Sequence, residues 1–249
     1  MPRRSLLSRL RGPRAVADRP AGAAECRYLA VIMDGNGRWA KRRRLPVAAG
    51  HKAGARALRR LIERALDHQL QEVTVYSFSS ENWRRPPEEV AALMELFIEQ
   101  IETQVPEVQQ RGVRVRFVGR RTNVPADLLA RIDAAEAANP VEPRMTMFIA
   151  FNYGGRDEIL DAAAAYAAEP GHDELTEESF RRFLYAPDMH DPELMIRTSG
   201  EERISNFLLW ELAYSELYFT PKLWPDFGPG DLDEALEAYA HRARRFGGR

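Results

Sequence analysis

The stretch Ala30-Val31-Ile32-Met33-Asp34-Gly35-Asn36-Gly37-Arg38-Trp39-Ala40 decides the fold. An apolar run from Tyr28 to Met33 stops at Asp34. It is short, and its β-branched residues Val31 and Ile32 suit a strand buried on both faces of a parallel sheet. Two glycines around an asparagine follow, then Arg38. Gly35 and Gly37 permit positive φ and leave room for a ligand against the backbone. Successive exposed N–H groups in such a turn form an anion-binding nest, and Arg38 adds a planar fork suited to phosphate oxygens. Asp34 would repel a bare phosphate. It fits if a divalent cation, Mg²⁺ being the usual choice, lies between carboxylate and phosphate. The alternative is a tight strand-to-helix turn with no ligand, since short glycine motifs are weak evidence alone.

The same pattern recurs along the chain. Further strands are expected at Glu72–Phe78, Val113–Val118, Met145–Phe151, Glu193–Thr198 and Leu217–Phe219. Helical spacing marks a segment opening near Gly50 and running to Leu66, then Glu88–Gln110, Pro125–Ala138, Asp157–Ala168, Glu177–Leu184 and Asp231–Arg245. Strands alternating with helices predict an α/β domain with a mostly parallel central sheet of about six strands, covered on both faces. Val113–Val118 alternates, which places it near an edge. In such sheets ligands bind beyond the C-terminal strand ends. Four strands end in polar or glycine-rich segments: Asp34–Arg38, Ser79–Arg85, Asn152–Arg156 and Arg197–Ser205. Topology brings these to one rim, and that convergence outweighs any single motif.

The rim holds Arg38, Arg85, Arg197 and Arg203, provision for more than one phosphate-bearing group. Arg197, Arg203 and Ser205 can form one anion pocket, and Arg38, His51 and Arg85 a second. His51 also reads as a plain structural hydrogen bonder in a helix first turn. No Gly-Lys-Ser/Thr closes the first loop, which excludes a P-loop, and no Gly-x-Gly-x-x-Gly is present. The five histidines lack metal-site spacing. The helix Glu88–Gln110 is apolar over a wider face than one packing stripe needs, enough both to pack on the sheet and to line a cavity.

Composition agrees with a soluble globular protein: 249 residues, 45% hydrophobic, 29% charged, net charge −1. That charge gives no field for nucleic acid. Cys26 is the only cysteine, so no intrachain disulfide forms, and a reducing cytoplasmic setting is expected. No apolar run approaches the roughly 20 residues of a membrane span. Residues 1–24 carry six arginines against one acid. They read as a disordered basic tail with weak attraction to anionic lipid, ahead of a single catalytic domain, residues 25–249.

Three motifs, Asp34-Gly35-Asn36-Gly37-Arg38-Trp39, Ser79-Ser80-Glu81-Asn82-Trp83 and Arg197 through Asn206, resemble the cis-prenyltransferase family, in particular bacterial undecaprenyl diphosphate synthases. The resemblance runs from about residue 27 to Gly248. It implies a Mg²⁺-dependent homodimer that condenses isopentenyl diphosphate onto an allylic diphosphate such as farnesyl diphosphate, forming a cis double bond. The product would be a polyprenyl diphosphate, the undecaprenyl carrier precursor for cell-wall synthesis, released with a transient contact at the membrane surface. A short-chain synthase and a silent accessory subunit are the alternatives. By the same resemblance Asp34 is the catalytic metal ligand, and Gly35, Asn36, Gly37 and Arg38 hold the allylic diphosphate, with Trp39, His51, Trp83 and Arg85 lining its site. Ser79, Ser80, Glu81 and Asn82 lie between the substrates, with Asn82 the proposed proton acceptor. Arg197, Arg203, Ile204 and Ser205 match the isopentenyl diphosphate site, and Glu216 a second metal ligand from the same rim or the neighbouring subunit. The chain departs from the family at Val47, where an arginine is usual; either the allylic site is weaker or a neighbouring cation compensates, and Arg44 is the expected substitute.

Overall fold

The computed structural model describes residues 25–171 and 174–242. The expected basic tail lies outside them, as do the last residues of the expected final helix. Six strands form one all-parallel sheet: β1 (Tyr28–Ile32), β2 (Glu72–Ser79), β3 (Val113–Val118), β4 (Met145–Tyr153), β5 (Leu194–Arg197) and β6 (Glu216–Phe219), in the order β3-β4-β2-β1-β5-β6. The alternating strand β3 is an edge, as its pattern requires. The four strands with polar ends are the central four, so their C-terminal segments do meet.

The helices are α1 (Asn36–Arg42), α2 (Val47–Asp67), α3 (Pro87–Gln109), α4 (Ala126–Ala137), α5 (Gly155–Ala168), α6 (Glu177–Arg181) and α7 (Pro229–Ala240). Period-2 alternation sorts the strands between two cores. Leu29 and Val31 of β1 face α2, α3 and α7, packing with Leu61, Ile62, Val105 and Leu236. Each such fully buried side chain contributes about 1.5–3 kcal/mol. Ala30 and Ile32 face the other way, against Ala186, Met189, Phe207 and Leu208. That second layer is irregular chain rather than helix; α5 and α6 pack outside it through Ala162, Phe180 and Trp210.

Two carboxylates are buried there. Glu158 takes a hydrogen bond from the Tyr153 hydroxyl and another from the Tyr185 backbone N–H at 3.0 Å. Glu211 is 2% exposed, and its Oε2 has no partner. Burial, then the charge of Glu158, pushes the Glu211 carboxyl up to about 8. The folded protein thus keeps a proton that the unfolded chain releases near pH 4.3, and stability falls as pH rises from about 4 to about 8. Glu211→Gln should therefore raise the melting temperature at pH 9 and change it little at pH 4. Equal shifts at both pH values would contradict this.

Candidate active site

Backbone geometry builds the first pocket. β1 ends at Ile32, and Gly35 adopts φ 113° before the chain turns directly into α1 at Asn36. In backbone form the stretch is therefore the tight strand-to-helix turn given as the alternative from sequence, with positive φ at Gly35 and not at Gly37. Gly37 is helical and takes no positive φ; a Cβ there would meet nothing, so its side stands open. α1 packs against α2 at very close range. A Cβ on Gly50 would lie 2.2 Å from the Asn36 carbonyl oxygen, and one on Gly54 would lie 2.3 Å from Asn36 Oδ1. The Asp34 carbonyl accepts from the Thr198 hydroxyl at 2.7 Å and the Trp224 N–H at 3.0 Å, tying β1 to β5 and to the segment beyond β6.

Asp34 is the focus of the rim. Its Oδ2 accepts from Arg38 Nη2 at 3.1 Å and from Arg197 Nη2 at 3.0 Å. Burial raises the Asp34 carboxyl, but hydrogen bonds from Arg197 and Ser199 and the charge of Arg38 outweigh it, so it lies below the ordinary value and is ionised. Arg197 is 4% exposed and also donates to the Arg203 carbonyl and, at 2.6 Å, to Ser205 Oγ. Arg38 donates to Ser199 Oγ at 2.5 Å and approaches Glu201 at 3.4 Å; Glu201 also pairs with Arg203 at 2.5 Å. Asp34, Arg38, Arg197, Arg203 and Ser205 thus form one connected cluster, with Ile204 packed beneath it against the second core.

Other expected residues take different places. Ser79 and Asn82 cap the 3₁₀ turn Ser80–Arg84: the Ser79 N–H donates to Asn82 Oδ1 at 3.0 Å, and Glu81 N–H donates to Ser79 Oγ at 3.2 Å. Ser80 Oγ donates to Asp157 at 2.7 Å. Trp83 Nε1 donates to Asn152 Oδ1 at 2.7 Å, so its ring belongs to the junction with β4 rather than to the Asp34 cluster. Trp39 Nε1 donates to Asp226 at 2.7 Å, and the Arg43 guanidinium stacks 4.2 Å from its ring centre. Arg85 pairs with Glu89 at 2.6 Å.

Glu216 does not join Asp34 on this chain's rim. It opens β6, in register with Leu194, whereas the rim lies beyond Arg197 and Phe219. Three residues of strand put it about 10 Å below that level, paired with Arg242 at 2.5 Å. The same-rim placement is thereby corrected. Ser199, Glu201, Thr198 and Asn206 were not singled out in the sequence although they lie inside or beside quoted motifs. Their roles come from three-dimensional contacts that side-chain type does not announce.

An apolar cavity of about 150 Å³ lies between α2, α3 and the sheet, lined by Asn36 and His51 together with Leu58, Leu93, Phe97 and Phe151. The wide apolar face of α3 thus serves both uses expected of it. Burial, and then the nearby charge of Arg85, lowers the His51 imidazole below its ordinary value, so it is neutral at pH 7.

Comparison with known proteins agrees with this geometry. The family described as "Putative undecaprenyl diphosphate synthase" matches residues 32–247. The isoprenyl transferase of Thermotoga maritima is 50% identical over 89% of this chain and 96% of its own length. A ditrans,polycis-undecaprenyl-diphosphate synthase ((2E,6E)-farnesyl-diphosphate specific) of Xanthomonas campestris is 49% identical over 94% and 92%. Among solved structures, lavandulyl diphosphate synthase from Lavandula x intermedia in complex with dimethylallyl diphosphate superposes with a TM-score of 0.86 at 34% identity, covering 90% of this chain and 99% of that one. A probable undecaprenyl diphosphate synthase from Campylobacter jejuni gives 0.78 at 28%, covering 90% and 100%. The chain belongs to the undecaprenyl diphosphate synthase family of prenyltransferases.

Proposed function

We propose that this chain joins isopentenyl diphosphate to an allylic diphosphate such as farnesyl diphosphate, with a new cis double bond, and repeats the step to a polyprenyl diphosphate of undecaprenyl type. One observation carries the reading: Asn36, two residues after Asp34 and its arginine cluster, joins His51 in lining an apolar cavity. A charged head and a hydrocarbon tail are both provided for. Arg38 and the open face at Gly37 take the allylic diphosphate, while Arg197, Arg203 and Ser205 take isopentenyl diphosphate.

The donor set suits Mg²⁺. Asp34 is ionised and 31% exposed at its side chain. No cluster of three or more metal-binding side chains occurs among the described residues. Asp34 would supply one carboxylate to the ion, alongside substrate phosphates and water, the usual mode for this ion. Bound there, Mg²⁺ would offset the charge of the departing pyrophosphate. The arginines stabilise the same developing charge. His51, neutral in the cavity lining, can accept the proton lost as the new double bond forms; Asn82 orients the segment between the substrates. The protein works as a cytoplasmic homodimer, and Glu216 can reach a metal only across the dimer. Its product is handed to a membrane surface, because a long hydrocarbon needs an apolar destination.

The pocket assignment has its own test. Arg203→Ala should raise KM for isopentenyl diphosphate about tenfold, the worth of a charge-assisted contact, and leave the allylic KM nearly unchanged. Equal changes in both would show that the pockets are misassigned. At the Val47 departure, Arg43 is committed to Asp226 and Trp39, while Arg44 is exposed at φ 57° with no partner for its side chain among the described residues. Arg44→Ala should raise the allylic KM well beyond the effect of Arg43→Ala. If Val47→Arg instead lowers that KM about tenfold and Arg44→Ala is silent, Arg44 does not substitute.

A further inference from the structure

Behind the rim, three segments from three different strands cross at one glycine. Gly154 follows β4, with extended backbone at φ −156° and ψ 125°. A Cβ placed on it would lie 2.7 Å from Ser80 Oγ, 2.9 Å from Asn206 Nδ2 and 3.0 Å from Asp157 Oδ2. Ser80 comes from the segment after β2, Asp157 from the first turn of α5, and Asn206 from the segment after β5. Ser80 Oγ donates to Asp157 Oδ2 at 2.7 Å, and the other carboxylate oxygen of Asp157 pairs with Arg120 at 3.0 Å.

Asn206 makes the third tie. Helix α5 has no side-chain cap of its own. Its free N–H groups are satisfied from outside: Gly155 N–H donates to the Asn206 carbonyl at 2.7 Å, and Arg156 N–H donates to Asn206 Oδ1 at 2.9 Å. Asn206 Nδ2 reaches Glu81 Oε1 at 3.5 Å. Its backbone is left-handed, φ 61°, between Ser205 at φ 50° and Phe207, with Leu208 at φ 45°. Consecutive left-handed residues other than glycine cost free energy and persist only where the surroundings hold them. Here the asparagine cap and the buried ring of Phe207, stacked 4.5 Å from Tyr76, provide that hold.

We propose that the Ser80–Asp157–Asn206 crossing over Gly154 is a positioning device, in which Asn206 fixes Ser205 and its anion pocket against the Ser79–Arg85 segment. The inference rests on the proposed function for the identity of the substrates. Ser205 bonds Arg197, which bonds Asp34, so a drift of the Asn206 segment displaces one diphosphate relative to the other. Misplacement by about 1 Å can cost up to roughly 10² in rate.

Two full-length variants test it. Gly154→Ala suits the extended backbone, and its three nearest contacts are the three side-chain ends. Asn206→Gly keeps the left-handed turn and the carbonyl bond to Gly155, and deletes the side-chain bonds to Arg156 and Glu81. Steady-state KM and kcat for both substrates are compared with those of Ser205→Ala, alongside melting curves. The expected result is that both variants raise, about fivefold or more, the KM of whichever substrate Ser205→Ala affects, with the other KM within about twofold and the protein folded at the assay temperature. Unchanged KM values for both substrates, or a uniform loss that tracks melting temperature, would overturn the proposal. If Ser205→Ala and both variants act together on the allylic KM, the crossing stands and the pocket assignment fails. If the wild-type chain turns over neither substrate, the proposed function fails alone. The same three variants are then compared by calorimetric titration of inorganic pyrophosphate, where unweakened binding in Gly154→Ala and Asn206→Gly beside weakened binding in Ser205→Ala overturns the crossing.

Discussion

Asp34→Ala is expected to cut turnover by roughly 10²–10³ while leaving the fold intact, the range typical for losing one group that stabilises transition-state charge. The carboxylate touches no hydrophobic core. It holds Arg38 and Arg197 at 3.1 and 3.0 Å, and the backbone of residue 34 is anchored independently through its carbonyl to Thr198 and Trp224. The arginines lose a partner but keep others in Ser199 and Ser205. Stability should therefore move little, and the two readouts separate. Near-wild-type turnover at saturating Mg²⁺ would sink the assignment of Asp34 as the metal ligand. A collapse in melting temperature would show that the carboxylate is structural.

Gly50→Ala is expected to be among the most destabilising small substitutions in the chain. In an ordinary helix, glycine to alanine gains about 1 kcal/mol. Here the added methyl would lie 2.2 Å from a backbone carbonyl oxygen, that of Asn36, and 3.1 Å from Ala40 Cβ. Backbone cannot swing away as a side-chain tip can, so α1 must shift off α2. Overpacking of this kind costs about 1–3 kcal/mol or more. A net loss of about 2 kcal/mol corresponds to a fall of about 4–8 °C in melting temperature for a chain of this size. Because α1 carries Asn36 to Arg38, allylic affinity should fall as well. Gly37→Ala is the contrast: it is helical and its Cβ meets nothing, so melting should rise by about 2–4 °C while ligand binding falls. A neutral Gly50→Ala would mean that the α1–α2 packing is not as close as described.

Most of the fold was legible in the sequence because burial on both faces leaves a plain trace. Tyr28 to Met33 and Met147 to Phe151 are apolar runs that end at Asp34 and Asn152, and they proved to be central strands on either side of β2. The edge position of β3 followed from Arg114 and Arg116 alternating with valines. α1 was missed because Asn36 and Gly37 are poor helix formers and its one buried residue is Ala40. What holds it is α2, through the glycines at 50 and 54, a tertiary cause with no local signal. The same limit applied to the site. Motifs brought out Asp34, Arg38, Arg197 and Ser205, whose charges and hydroxyls declare their chemistry. They did not show that Trp39 and Trp83 turn their indole nitrogens to Asp226 and Asn152, nor that Glu216 stands at the far end of its strand. Those facts depend on which side of a turn the chain leaves by, and that is set by packing.

On the proposed function, one chain holds both the diphosphate site and the hydrocarbon cavity of a cis-condensing synthase. The most direct measurement is incubation of the purified chain alone with radiolabelled isopentenyl diphosphate, farnesyl diphosphate and Mg²⁺, with the products dephosphorylated and separated by reversed-phase thin-layer chromatography. The account predicts labelled polyprenols that are longer than the primer, cis-configured in every added unit, and abolished by EDTA or by Asp34→Ala. Absence of any elongated product under conditions where the chain is folded, or products with trans-configured added units, would contradict it.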